Sequence, residues 1–186
     1  MTHIAKWMKE FTQKIKKNLF GLKTASVTQN FMPPLKNITI NMKSSAPFKR
    51  PERPVTKVFI HCSASDNPNN DNVETIDRWH KARGWVGIGY HFYIDMKGQV
   101  FIGRDIEKIP AAQKGHNTGS IAICCGGLNK FTDVQMDALL KFCHEIYMAY
   151  GGNITFHGHR EVEPNKTCPN FNYKKILNLD SRGYLL

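Results

Sequence analysis

Apolar residues at Ile4, Trp7, Met8, Phe11, Ile15, Leu19 and Leu22 recur in steps of three and four. That spacing predicts a helix with one apolar face over residues 1–23. From residue 24 to residue 54 the texture changes. Prolines at 33, 34, 47, 51 and 54 and the Ser44–Ser45 pair read as an extended linker. Within it, Ile38, Ile40 and Met42 alternate with Thr39 and Asn41, the period-two pattern of a short edge strand.

Patterning typical of a compact domain begins at Val55 and continues to the end of the chain, residues 55–186. Val58-Phe59-Ile60 predicts a buried strand ending at His61, and the Asn-, Asp- and Pro-rich run 66–71 a loop. Helical spacing over Val73–Arg83 places Ile76, Trp79 and His80 on one side, and Gly84 stops it. Tyr90–Ile94 and Gln99–Ile102 flank Asp95-Met96-Lys97-Gly98 as a hairpin. Ser120–Cys125 reads as a central strand, and Thr132 as the cap of a long helix reaching Tyr150. Ile154–Phe156 predicts a short strand and Tyr173–Leu179 a last short helix. Strands alternating with helices predict an α/β fold, a mixed central sheet flanked by helices.

Composition narrows the class. At 186 residues, 41% hydrophobic and 22% charged, the chain suits one globular domain plus an appendage. No run approaches the ~18 consecutive apolar residues of a membrane-spanning helix. The net charge of +11 is uneven, because residues 1–54 carry 11 Lys/Arg against Glu10 and Glu52. The predicted helix, with Trp7 and Phe11 beside Lys14, Lys16 and Lys17, is of the type that lies on anionic membrane or lipopolysaccharide. The same stripe could instead pack on the protein's own core. Nucleic-acid binding is the rival use of the charge and is not the expected one. Lysines interrupt the N-terminus as a Sec-type signal peptide, so synthesis in a reducing cytoplasm is expected. Five cysteines, with Cys124 and Cys125 adjacent, do not form a secreted disulfide framework.

Three candidate soft-metal ligands sit where strands give way to loops: His61, His159 and Cys168. Two imidazoles and a thiolate leave the fourth position of tetrahedral zinc open, as catalytic sites do. The nine-residue gap between His159 and Cys168 is no close-ligand motif, however, and the residues alone leave the metal open. His157 competes with His159. His80 and His91 read as buried, hydrogen-bonded core residues, Cys124, Cys125 and Cys143 as core hydrophobes, and Cys62 as turned away from the ligands.

The surrounding motifs carry more. Phe59-Ile60-His61-Cys62-Ser63-Ala64, Trp79-His80, Gly89-Tyr90-His91-Phe92, Gly103-Arg104 and Lys114-Gly115-His116-Asn117 occur in order. Ser120-Ile121, His159-Arg160-Glu161-Val162 and Lys166-Thr167-Cys168-Pro169 close the series. Together they resemble the zinc-dependent N-acetylmuramoyl-L-alanine amidases of the type-2 amidase and peptidoglycan-recognition-protein superfamily, nearest the short phage endolysins. The resemblance spans about residues 56–177. It implies that His61, His159 and Cys168 bind one Zn²⁺, that Tyr90 and Lys166 are catalytic, and that His116 and Asn117 contact substrate. It also implies an enzyme that cuts the N-acetylmuramic acid–L-alanine amide at the cell wall with a zinc-activated water, and a monomer is the expected state. A non-catalytic peptidoglycan-binding module, or one that regulates a phage RNA polymerase, is the alternative on the same fold. The sequence departs from its relatives in three places. Cys124 stands where some carry a glutamate base, Ala112 or Gln113 replaces a histidine, and the Cys125-Gly126-Gly127 stretch is one residue short.

Overall fold

The computed structural model describes residues 48–186. The helix expected over residues 1–23, the strand over 38–42, and the membrane-facing Trp7, Phe11, Lys14, Lys16 and Lys17 lie outside the described residues.

Five strands and three α-helices form the described fold: β1 (Lys57–Cys62), α1 (Val73–Ala82), β2 (Phe92–Ile94), β3 (Val100–Ile102), β4 (Ser120–Cys125), α2 (Asp133–Ala149), β5 (Thr155–Gly158) and α3 (Tyr173–Leu177). The sheet order is β3-β2-β4-β1-β5. β2, β4, β1 and β5 run parallel, and only β3 is antiparallel. The expected mixed α/β sheet is therefore present, with Ser120–Cys125 at its centre. β4 is buried along its whole length and β1 from Val58 onward, as strands covered on both faces must be.

Two contacts on neighbouring residues of β2 show how the faces are covered. Tyr93 clusters with Ile76 of α1 and Cys124 of β4. Phe92 packs edge-on against Phe142 of α2, ring centroids 4.7 Å apart. Successive strand side chains point to opposite faces, so α1 and α2 lie on opposite sides of the sheet. Both helices are capped by side chains. Asn72 Oδ1 accepts from the Thr75 N–H at 2.8 Å, and Thr132 Oγ1 from the Gln135 N–H at 3.2 Å.

The boundaries differ from the pattern in places. The regular strand begins at Phe92 rather than Tyr90, although the Tyr90 and His91 carbonyls still accept from the Arg104 and Gly103 N–H groups in the register of the β2–β3 pair. Its turn closes where Asp95 Oδ1 accepts from the Lys97 and Gln99 N–H groups and Gly98 takes φ +76°, a conformation that suits glycine. The last helix stops at Leu177, since Asn178 turns left-handed at φ 52°.

The largest departure lies upstream. Residues 48–54, expected as linker, are packed on the domain. Phe48 and Pro51 are buried, and Phe48 meets Phe92 and Phe142 edge-on at 6.0 Å each. Arg53 Nε donates to the Ile106 carbonyl at 2.7 Å and Nη2 to the Ser120 carbonyl at 2.9 Å.

Candidate active site

The parallel pairing of β1 with β5 aligns Ile60 with Gly158. The next residues, His61 and His159, therefore leave the carboxyl ends of adjacent strands side by side, with ring centroids 4.7 Å apart. The carboxyl ends of parallel strands are where α/β sheets place their ligand sites. Cys168 reaches the same point from the loop after the His159–Glu161 turn, its Sγ 3.9 Å from His61 Nδ1. Donor atoms of His61, His159 and Cys168 all lie within 4.8 Å of one another, close enough to hold one metal ion.

His159-Arg160-Glu161 performs three tasks in three residues. His159 faces the donor cluster. Arg160 donates through Nη1 to the Thr167 carbonyl at 3.2 Å and to that of Pro169, and through Nη2 to the Phe171 carbonyl at 3.3 Å. It thereby grips the loop that carries Cys168. Glu161 accepts from the Tyr173 hydroxyl and pairs with His157 at 2.8 Å and Lys174 at 2.6 Å. His157 is thus engaged with Glu161 and Thr155, and it is His159 that joins the cluster. Gly158 is required between the strand and this turn. A Cβ there would fall 2.6 Å from the Tyr173 ring and 2.9 Å from Pro169.

The cluster opens on a cavity of about 670 Å³. Tyr90, His80, Trp79 and Trp85 form an aromatic wall, with Tyr90 5.0 Å from His61 and 5.3 Å from His80 between ring centroids. Arg83, Lys114 and Lys166 line it as cations against the carboxylate of Glu163. Asn117 also lines it, but its Oδ1 accepts from the Ala112 and Gln113 N–H groups and so shapes its own loop. His116 is exposed and is not among the cavity-lining residues.

Burial sets the charge states. It holds His61 down to about 3, with His159 beside it adding to the effect, so this imidazole is neutral. His159 is lowered by burial and then by Lys166. Burial raises the Tyr90 phenol well above its usual value, and it stays protonated. Cys124, at the position where some relatives carry glutamate, is fully buried with its thiol pushed far up, and serves as core. His80 and His91 are buried and bonded: His80 Nδ1 accepts from the Gly89 N–H and His91 Nδ1 from the Ala122 N–H, each at 3.0 Å.

Two residues were not legible as site residues. Cys62, expected to turn away, lines the cavity with its thiol beside that of Cys168, and its N–H donates to Cys168 Sγ at 3.1 Å. Gln113, noted only as an unexpected substitution, is fully buried with its Oε1 3.1 Å from His61 Nε2.

Comparison with known proteins agrees with this geometry. The chain is 36% identical over 128 residues to the endolysin of Klebsiella phage KP32, covering 64% of this chain and 83% of that one. The structure resembles N-acetylmuramoyl-L-alanine amidase LysC from Clostridium intestinale, with a TM-score of 0.61 at 30% identity, over 68% of this chain and 85% of that one. It also resembles the ectodomain complex of peptidoglycan recognition proteins LCa and LCx, solved with tracheal cytotoxin bound. There the TM-score is 0.61 at 25% identity, over 72% and 87% of the two chains. Residues 51–171 match the family described as N-acetylmuramoyl-L-alanine amidase, and the chain belongs to that family.

Proposed function

We propose that this protein is a peptidoglycan hydrolase that cleaves the amide between N-acetylmuramic acid and L-alanine, with zinc held by His61, His159 and Cys168. The observation that carries the reading is the convergence of those three donors, within 4.8 Å of one another, beside the cavity lined by Tyr90 and Lys166. The donor set fits the metal. Two imidazoles and a thiolate are ligands zinc takes, three protein ligands leave one position open, and His61 is held in the neutral form that can coordinate. When bound, zinc lowers the pKa of a coordinated water towards about 7 and polarises the scissile carbonyl.

The chain's own groups do the rest. Tyr90 keeps its proton and can donate it, or a hydrogen bond, from its hydroxyl as the amine leaves. The Lys166 ammonium stabilises negative charge growing on the carbonyl oxygen. Arg83, Lys114 and Lys166 favour a substrate whose peptide stem carries carboxylates. Asn117 lines the cavity and shapes its wall, whereas His116, exposed and outside that lining, is kept as a contact for substrate that extends beyond the cavity. Tyr90 and Lys166 together with all three ligands favour hydrolysis over a module that only binds. The endolysin relatives support action at the cell wall.

Residues 1–23 belong to the same proposal as a basic segment directed at membrane or lipopolysaccharide. Removing residues 1–47 should spare hydrolysis of isolated sacculi and weaken killing of intact cells, and equal killing would count against that role. For the chemistry, mass spectrometry of digested sacculi should find new free L-alanine amino ends. New reducing sugar ends would overturn the assignment.

A further inference from the structure

Gln113 lies on the loop between β3 and β4 and is fully buried beside His61. A chain of hydrogen bonds decides which way its amide points. The Asn117 carbonyl oxygen can only accept, and Ser120 Oγ lies 2.7 Å from it, so the serine hydroxyl donates there. With its one proton so used, Ser120 Oγ can only accept from Gln113, whose amide nitrogen is 2.7 Å away. The second amide hydrogen faces the His116 carbonyl at 3.5 Å. Both donors of the amide are therefore directed at this loop, and Oε1 is left facing His61 Nε2 at 3.1 Å.

An amide oxygen can only accept, so His61 Nε2 carries the ring's proton. A neutral imidazole has one such proton, which leaves the lone pair on Nδ1. Nδ1 is the atom 3.9 Å from Cys168 Sγ, on the side where the three donors converge.

We propose that Gln113 is a positioning residue that holds His61 in the Nε2-protonated tautomer and so presents Nδ1 to the metal. The inference rests on the reading of His61, His159 and Cys168 as a zinc site. Partners of this kind orient a ligating histidine and raise its basicity, and losing one typically weakens metal binding about 10–100-fold. Gln113 does so without charge. Its orientation is inherited from Ser120, at the start of β4, and from Asn117, whose Oδ1 accepts the Gln113 N–H at 3.0 Å.

The test uses the full chain, with zinc titrated against a chromophoric chelator. Gln113→Ala should bind zinc about 10–100-fold more weakly than the unsubstituted protein. Gln113→Glu keeps an acceptor opposite Nε2 and should restore binding to within a few-fold. Nitrogen-15 spectra of the metal-free protein supply a readout independent of metal and of activity: His61 should appear protonated at Nε2 and bare at Nδ1. Equal zinc affinity in the unsubstituted protein and a folded Gln113→Ala variant overturns the inference alone, as does a proton found on Nδ1. Should Gln113→Ala fail to fold, the tautomer spectrum and the Gln113→Glu affinity still decide. An unsubstituted protein that takes up no zinc overturns the metal reading and this inference with it.

Discussion

The backbone N–H of Arg160 donates to the carbonyl of Cys168 at 2.8 Å, so the residue after one candidate ligand is bonded to the other. The Arg160 guanidinium extends the same grip to the carbonyls of Thr167, Pro169 and Phe171 and lies 5.3 Å over the Tyr173 ring. The loop bearing Cys168 is thereby fixed relative to His159 by one side chain.

Replacing Arg160 with lysine should loosen that loop, because an ammonium cannot present the planar fork that reaches several carbonyls at once. Arg160→Lys is expected to lower stability by about 1–3 kcal/mol through carbonyls left without their donors. Zinc affinity should fall with it. Thermal unfolding and zinc titration check both, and a variant equal to the unsubstituted protein in each would contradict the clamp.

Tyr90 and Lys166 should separate from the ligands in their effects. Tyr90→Phe is expected to lower kcat by about 10²–10⁴-fold, and Lys166→Met by about 10²–10³-fold. Neither should alter zinc content, which for Cys168→Ser should drop. Steady-state hydrolysis of sacculi beside metal analysis of the same samples decides the matter. Loss of zinc in the Tyr90 variant would make that residue structural.

His91 gives the metal-free protein a pH dependence. Its Nδ1 accepts from the Ala122 N–H at 3.0 Å and its Nε2 donates to the Lys108 carbonyl at 2.9 Å, an arrangement only the neutral ring can make. Burial holds its pKa down to about 4, against about 6.5 in an unfolded chain. Between those values the unfolded chain takes up a proton that the folded one refuses. Stability is therefore full above pH 6.5 and falls as the pH drops towards 4. Urea midpoints at pH 7.5, 5.5 and 4.5 should fall more steeply for the unsubstituted protein than for His91→Gln, and parallel curves would remove His91 as a cause.

Phe48 is packed on the domain. With three aromatic neighbours, Phe92, Phe142 and Tyr150, its truncation to alanine should cost about 3 kcal/mol. A chain beginning at Phe48 should fold with a higher Tm than one beginning at Val55. Equal Tm values would return residues 48–54 to the linker.

What was legible in the sequence was what repeats locally. The β-branched run at Val58–Ile60, the three-and-four spacing after Val73, and Thr132 ahead of an apolar stripe each announced an element that the fold contains. The positions of His61, His159 and Cys168 were legible because motif order survives even where the contacts are distant. What could not be read was which distant residues meet. Phe48 sits among prolines and basic residues, and its burial depends on Phe142, far along the chain. Gln113 lies in a polar loop, and its importance appears only when folding brings it to His61, 52 residues away. Cys62 follows a strand residue, so alternation turned it from the cluster, but at the strand end its thiol lies beside Cys168. The Tyr90 boundary differs by less: the Tyr90 and His91 carbonyls accept from Arg104 and Gly103 in the register of the hairpin, so its pairing runs on past the regular strand.

The most direct measurement is a digest of purified sacculi with three samples of the protein: as isolated, after chelation, and after chelation with zinc restored. Free L-alanine amino ends should form in the first, vanish in the second and return in the third. Amide cleavage that persists with the metal removed, or ends that are reducing sugars, would contradict a zinc amidase built on His61, His159 and Cys168.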